Sequence, residues 1–158
     1  MATEKWIAGS GQGLTYGTAI NSSDLASLAN GSSVLSSLAD ITNGTSLDIF
    51  ADISINFPSI TVAAPAYFGI YLYPLNQDGS TYGDNQLSSG SQAAKTPSQN
   101  YFVGSILVPT GAGAVNGTLR GIILPPGSFR FVGFNQLGAA LTSGTQTCKY
   151  RTYNRAVA

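Results

Sequence analysis

Asp48 and Asp52 are the pair of carboxylates whose spacing most invites a test for chemistry. On a predicted strand they share one face and lie about 13 Å apart, since a strand rises about 3.3 Å per residue. The paired carboxyl groups of glycosidases are separated by roughly 5–10 Å, so this pair alone does not form a hydrolytic site. We interpret both aspartates as solvated edge charges, which also discourage strand-to-strand aggregation.

Two other candidates for chemistry are isolated in the sequence. Cys148 is the single cysteine, and a chain without histidine offers it no imidazole base, so we interpret it as a small buried core residue. Segment 76–84 carries oxygen ligands but lacks the glutamate that ends a twelve-residue calcium loop, so we interpret Asp78-Gly79 as a plain turn. The sequence therefore predicts a protein that is not an enzyme, with no catalytic residue, no cofactor and no metal.

Composition limits the possible partners. The 158 residues suit one domain, and seven basic residues balance seven acidic ones. Nucleic acids and anionic membranes are bound through clustered cations, so we expect neither as a partner. No apolar run reaches the roughly 18 residues of a membrane span. With 43% hydrophobic and 9% charged residues, the chain is typical of a packed protein that works through its surfaces.

Alternating apolar and polar residues predict strands, and Gly/Pro turns separate them. The fold class is all-β: an antiparallel β-sandwich, jelly-roll-like as first choice and immunoglobulin-like as second, with short helical pieces confined to 21–44 and a long loop over 75–100. Pro58 is predicted to end the first long strand. The predicted strands cover 46–57, 66–74, 101–109, 118–124, 129–135 and 146–153. The predicted core includes Ile53, Ile55, Phe68, Ile70, Leu72, Ile106, Ile123, Phe131 and Val132.

The N-terminal segment differs from the rest of the chain. Residues 1–20 contain four glycines and one large apolar anchor, Trp6. We predict that 1–20 is a flexible, extended arm that makes little contact with the sandwich of 21–158. Ordering such a segment costs about 1–2 kcal/mol per residue, so we expect Trp6 to dock on a partner.

Two surfaces are candidate interfaces. Tyr67, Tyr71 and Tyr73 share the face of their strand opposite the core residues, and they either form an exposed interface or lie beneath a second sheet or the 75–100 loop. On the last strand, Lys149, Arg151 and Arg155 share a face with Tyr153. That cationic strip either meets an acidic partner, or aspartates of another subunit, or is simply solvated.

Four segments carry a resemblance to a known group. The chain is similar to a widespread group of bacteriophage virion proteins, with an aliphatic–Asp–aliphatic first strand, a Leu-Pro-Pro-Gly turn followed by Phe-Arg-Phe-Val, and a closing Arg-Thr-Tyr-Asn strand. The resemblance implies a small β-sandwich that binds the major capsid protein as a decoration (cement) protein on the capsid surface of the virion, after synthesis in the host cytoplasm. The segments are LDIFADISINF (47–57), YFGIYLYPLNQDGSTYGD (67–84), LRGIILPPGSFRFVGFNQLGAAL (119–141) and KYRTYNRAV (149–157).

The oligomeric state and one alternative function follow from the surface residues. Apolar and aromatic surface combined with few charges predicts a homo-oligomer, and the group resemblance favours a trimer. The alternative function is a receptor- or carbohydrate-binding sandwich of a phage tail or fibre, with the tyrosines as a stacking platform. A hydrolase is the third and least favoured class.

Overall fold

The computed structural model describes residues 4–9, 15–62, 66–83, 90–92, 96–142 and 145–157, and most of them lie in strands. The short helix α1 spans Ser22–Leu25, and a 3₁₀ turn spans Gln99–Tyr101. The strands are β1 (Glu4–Ala8), β2 (Gly17–Ile20), β3 (Ser33–Leu35), β4 (Ile41–Asn43), β5 (Phe50–Val62), β6 (Ala66–Pro74), β7 (Gly90–Gln92), β8 (Phe102–Val108), β9 (Gly111–Ile123), β10 (Gly127–Gln136) and β11 (Thr147–Val157).

The described strands form two antiparallel sheets. The first sheet has the order β1-β11-β5-β9, and β2 pairs with the other half of the same β11 edge. The second sheet has the order β7-β3-β10-β6-β8, and β4 lies beside β3 along β10. The chain crosses between sheets after β2, β4, β5, β8, β9 and β10, which is the strand order of a jelly roll. The prediction of an antiparallel, jelly-roll-like sandwich is confirmed.

Strand β5 shows how the sequence pattern produces the core. Ala51, Ile53, Ile55 and Phe57 are all buried between the sheets, as period 2 predicts. The prediction that Pro58 ends this strand is wrong, because β5 continues to Val62. Its pairing with β9 shifts register between Phe57 and Ile60, and such a bulge tolerates a residue that has no N–H to donate.

Strands β6 and β10 carry the matching side of the core. Eight of the nine predicted core residues are buried, and the exception is Ile123, which is 72% exposed. Val132 is buried in a second, smaller cluster on the outer side of the second sheet rather than between the sheets. The second sheet therefore buries side chains on part of its outer face as well as between the sheets.

The second cluster corrects one predicted interface. Tyr71 and Tyr73 are fully buried, so the prediction that they form an exposed interface is wrong, and Tyr67 is only partly buried against them. The cover comes from the 3₁₀ turn and the start of β8: the ring of Tyr101 lies 4.6 Å from that of Tyr73, and the ring of Phe102 lies 5.2 Å from that of Tyr71. Of the two alternatives, burial of the tyrosines is therefore the correct one, but the predicted 75–100 loop contributes Ser98 and Gln99, while the two covering rings directly follow it. Hydrogen bonds join the two sides, since Ser98 N donates to Tyr73 Oη and Gln99 Nε2 donates to Tyr71 Oη.

The N-terminal segment is part of the sandwich in its described portions. β1 pairs with β11 over Glu4–Ala8, and β2 places Ala19 and Ile20 in the main core. The prediction of an arm with little contact is therefore wrong for these residues, because backbone pairing along β11 orders a segment whose side chains alone do not. Residues 1–3 and 10–14 of the predicted arm lie outside the described residues.

The short helix agrees with the prediction for 21–44. Asn21 caps α1 with its side-chain oxygen, which accepts from Ser23 N at 3.4 Å, and Leu25 buries against the core. The rest of the segment contributes β3 and β4. No helix in the described part of the chain is long and apolar enough to cross a membrane.

Gly133 offers a direct test of the packing between the sheets. A Cβ built there lies 2.6 Å from Phe68 Cζ and 3.2 Å from Ile20 Cδ1. We predict that Gly133→Ala lowers the free energy of unfolding by about 1–3 kcal/mol, because the added methyl group would overpack the core. Chemical denaturation followed by circular dichroism measures the change.

Gly44→Ala is the matched control, since a Cβ there has no neighbour closer than 3.9 Å. This variant should unfold within about 0.5 kcal/mol of the unmodified chain. Equal stabilities for the two alanine variants would contradict the close approach of Gly133 to Phe68.

Candidate functional site

The outer face of the first sheet carries an exposed aromatic cluster. Strand register brings Trp6 of β1, Tyr153 of β11 and Phe50 of β5 together on this face. The Trp6 ring meets the other two edge-to-face, at 5.1 Å from Tyr153 and 6.1 Å from Phe50. Ile123 of β9 pairs with Phe50 and extends the cluster to a fourth strand. We call Trp6, Phe50, Tyr153 and Ile123 the outer-face cluster.

Beneath the outer-face cluster lies a buried carboxylate, Asp52. Its Oδ2 accepts from Arg151 Nε at 3.1 Å and from Nη2 at 2.8 Å. Its Oδ1 accepts from Tyr153 Oη at 2.9 Å and from Gly121 N at 3.1 Å. Asp52 is only 3% exposed, so the expectation of a solvated edge charge is wrong: a carboxylate tolerates burial when a cation and several donors compensate it.

These contacts set the protonation state of Asp52. Burial raises its pKa, but the hydrogen bonds from Arg151, Gly121 and Tyr153 outweigh burial and hold the pKa below its usual value of 3.8. The hydrogen bond to Asp52 raises the pKa of Arg151. Burial and the Asp52 hydrogen bond raise the pKa of Tyr153. The group therefore exists as a carboxylate, a guanidinium and a neutral phenol near neutral pH.

A bulge at Gly121 explains why Ile123 is exposed. Between the pairs Ala51–Ile122 and Ile53–Leu119, β9 has one residue more than β5, and Gly121 adopts a φ of +69°. The extra residue reverses which side chains face the core, so Ile122 turns inward and Ile123 outward. The prediction of Ile123 as a core residue is wrong for this reason.

The bulge also shapes a groove beside the outer-face cluster. Its volume is about 530 Å³. Arg120 is exposed at its side and makes no hydrogen bond or ion pair within the described residues. We call this cavity the Trp6 groove; its lining residues are Trp6, Asp52, Arg120, Gly121, Arg151 and Tyr153.

The structure brings together part of the predicted interface set. Trp6, Lys149, Arg151 and Arg155 all lie on the outer face of the first sheet. The two arginines have different partners. Arg151 forms an ion pair with Asp52, whereas the Arg155 guanidinium carbon lies 5.6 Å from the centroid of the Trp6 ring. Lys149 is exposed. Tyr67, Tyr71 and Tyr73 lie on the other sheet and do not join this site.

Sequence reasoning missed three residues of the site. Phe50 interrupts the polar face of its strand, and that irregularity is the one signal the sequence offered for it. The position of Arg120 in the groove and the role of Asp52 as a hydrogen-bond acceptor depend on the register between β5, β9 and β11. No local sequence pattern determines that register.

Asp48 is buried separately, at the end of the sandwich. It is 3% exposed, so the solvated-edge interpretation is wrong here as well. Asn154 Nδ2 donates to its Oδ1 at 2.9 Å, and Asn43 bonds both the N–H and the carbonyl of Asp48. The two aspartates therefore do not act as a pair.

The remaining chemical candidates have structural roles. Cys148 is buried in the core as predicted, and burial raises the pKa of its thiol to about 12, so it is a poor nucleophile. Asp78 forms the predicted turn by accepting from Ser80 N and Thr81 N. Within the described ranges, no three His, Cys, Asp or Glu side chains lie close enough to hold a metal.

Comparisons with protein-family models, curated proteins and solved structures find no match to this chain. Any role of the outer face therefore has to be inferred from its residues and their geometry. Those residues offer an aromatic platform, a compensated carboxylate and the guanidinium of Arg120, which has no side-chain partner among the described residues.

We predict that Asp52→Asn lowers the free energy of unfolding by about 2 kcal/mol at neutral pH, because it weakens charge-assisted hydrogen bonds from β5 to two neighbouring strands, β9 and β11. The folded-state pKa of Asp52 lies below 3.8, so its stabilisation is complete above the unfolded pKa and is lost as pH falls through the folded one. Denaturation curves from about pH 7 to about pH 2 should therefore show the variant and the unmodified chain converging in acid.

Arg151→Gln provides the comparison for this prediction. Because Asp52 and Arg151 form one ion pair, the double variant should cost little more than Asp52→Asn alone. Additive losses, or a difference that stays constant with pH, would show that the pair does not stabilise the sheet.

Proposed function

We propose that this chain is a non-enzymatic structural protein of a bacteriophage virion. We further propose that it binds the major capsid protein as a decoration protein, in the form of a homo-oligomer, with a trimer as the first expectation. The basis of the proposal is the sequence resemblance together with an uncharged, exposed strand edge on the jelly roll.

The segments that carry the resemblance lie in the middle of both sheets. Segment 47–57 contains the first half of β5, and 149–157 is nearly all of β11; these two strands are neighbours in the first sheet. Segments 67–84 and 119–141 include β6 and β10, which are neighbours in the second sheet. The resemblance therefore covers most of four central strands together with the turns that adjoin them, which supports a shared sandwich.

Strand β8 is the observation that most supports assembly. It ends the second sheet, and its seven residues, FVGSILV, include no charge and no proline. Leu107 on this strand is 79% exposed and lines an apolar cavity of about 500 Å³ with Tyr67 and Pro109. Uncharged edge strands pair readily with another chain, so this edge suits contact with a second copy or with the shell.

The alternative of a tail or fibre receptor-binding sandwich loses two of its three expected stacking residues, Tyr67, Tyr71 and Tyr73. The rings of Tyr71 and Tyr73 are buried against Phe102 and Tyr101, and Tyr67 is partly buried beside them. A sugar does not reach them unless that cover moves.

Co-sedimentation with virions tests the proposed function directly. Particles of the phage that encodes the chain are stripped of this protein and then mixed with an excess of the purified chain. We expect the chain to sediment together with these particles. Saturation at a fixed number of copies per particle is the expected result. A chain that stays entirely in the supernatant would overturn the decoration role.

We predict that Leu107→Lys lowers the native mass to that of a monomer at micromolar concentration. A lysine on an edge strand opposes pairing with another copy, while the exposed position leaves the melting temperature within a few degrees of the original. Native mass spectrometry or light scattering measures the mass.

Leu47→Lys is the matched control, because Leu47 is also an exposed leucine but lies before β5, away from the β8 edge. It should retain the original oligomer. If the unmodified chain is itself a monomer, or if Leu107→Lys remains fully oligomeric, the β8 edge is not the assembly surface.

A further inference from the structure

We propose that the Trp6 groove binds a sugar that carries a carboxylate, such as a uronic acid or sialic acid unit of a glycan. This inference goes beyond the proposed structural role, because it requires neither a shell nor an oligomer. It also uses the opposite sheet from the tyrosines that the sequence suggested as a platform.

The size and rigidity of the groove suit a sugar unit. Its volume of about 530 Å³ lies in the range of small-ligand sites. Trp6 lines it and is 61% exposed, which leaves apolar ring surface in contact with water. The edge-to-face contacts with Tyr153 and Phe50 hold that ring in place on a sheet, so little conformational entropy is lost when a ligand packs on it.

The hydrogen-bonding capacity of the groove favours an anion. Asp52 already accepts four hydrogen bonds, two on each oxygen, so it has little capacity for ligand hydroxyls. Arg120 lacks any partner within the described residues and supplies a complete guanidinium fork. With Arg151 balanced by Asp52, the lining holds one uncompensated positive charge. A carboxylate matches that guanidinium in charge and bidentate shape.

The combination of ring and cation distinguishes an acidic sugar from other ligands. A pyranose presents C–H groups on one face, which pack on an indole, while a ring carboxylate can reach a guanidinium beside it. A neutral sugar would bury Arg120 without a counter-charge. An acidic peptide such as triglutamate would pair with Arg120, but it does not present a ring face of C–H groups that packs on Trp6.

Trp6 provides the readout, because it is the only tryptophan in the chain. We expect digalacturonate or 3′-sialyllactose to shift its fluorescence in a saturable manner. Lactose, the uncharged counterpart of sialyllactose, should bind at least tenfold more weakly. The two acidic probes distinguish a uronate site from a sialate site, and binding of either supports the proposal.

Arg120→Gln tests the assigned contact, and Lys149→Gln is its control. Both side chains are exposed cations on the same sheet face, but Lys149 does not line the groove. Arg120→Gln should weaken the acidic probe at least tenfold and bring it close to lactose, while Lys149→Gln should change its affinity less than twofold. The melting temperatures of both variants should match that of the unmodified chain.

Three results would overturn the proposal. The first is that neither acidic sugar alters Trp6 fluorescence at millimolar concentration. The second is that Arg120→Gln binds the acidic probe as tightly as the original chain. The third is that a triglutamate peptide produces the same shift at the same concentration, which would identify an acidic protein segment as the ligand instead.

Discussion

The buried carboxylate of Asp52 is the interaction on which the arrangement of the first sheet depends. It joins β5 to β11 through Arg151 and Tyr153, and to β9 through Gly121 N. A charge so far from water is tolerated only with its partners in place. The same contacts therefore hold the bulge of β9, expose Ile123 and fix the floor of the Trp6 groove. One ionised group thus links the three strands β5, β9 and β11 beneath the outer face.

The two sheets differ in how far the aromatic side chains on their outer faces are buried. The second sheet buries Tyr71 and Tyr73 against the 3₁₀ turn and the start of β8, so part of its outer face is buried. Among the described residues, no segment covers the aromatic cluster of the first sheet in this way, and Trp6 remains exposed although it belongs to a paired strand. Covering one apolar face while leaving the other open makes the first sheet the surface on which a ligand is most plausible in physical terms.

The proposed assembly edge and the proposed ligand site lie on different parts of the jelly roll. The uncharged β8 edge belongs to the second sheet, and the Trp6 groove belongs to the outer side of the first. A copy that pairs through β8 therefore keeps its groove accessible on its own outer face. Oligomerisation would place several grooves on one particle, and linked weak sites bind a multivalent glycan far more tightly than one site does.

Local pattern determined the fold class and most of the core. The alternation in β5 and β6 follows from the two-residue period of a strand, so Ile53, Phe68 and Ile70 were predictable. The pairing between distant strands was not predictable, because it is made by backbone hydrogen bonds, which do not depend on the identity of the side chains. Only the tertiary structure decided that β1 joins β11, that a loop covers Tyr73, and that one extra residue at Gly121 turns Ile123 outward and Arg120 into the groove. Register is set by the whole sheet, and a shift of one residue exchanges its two faces.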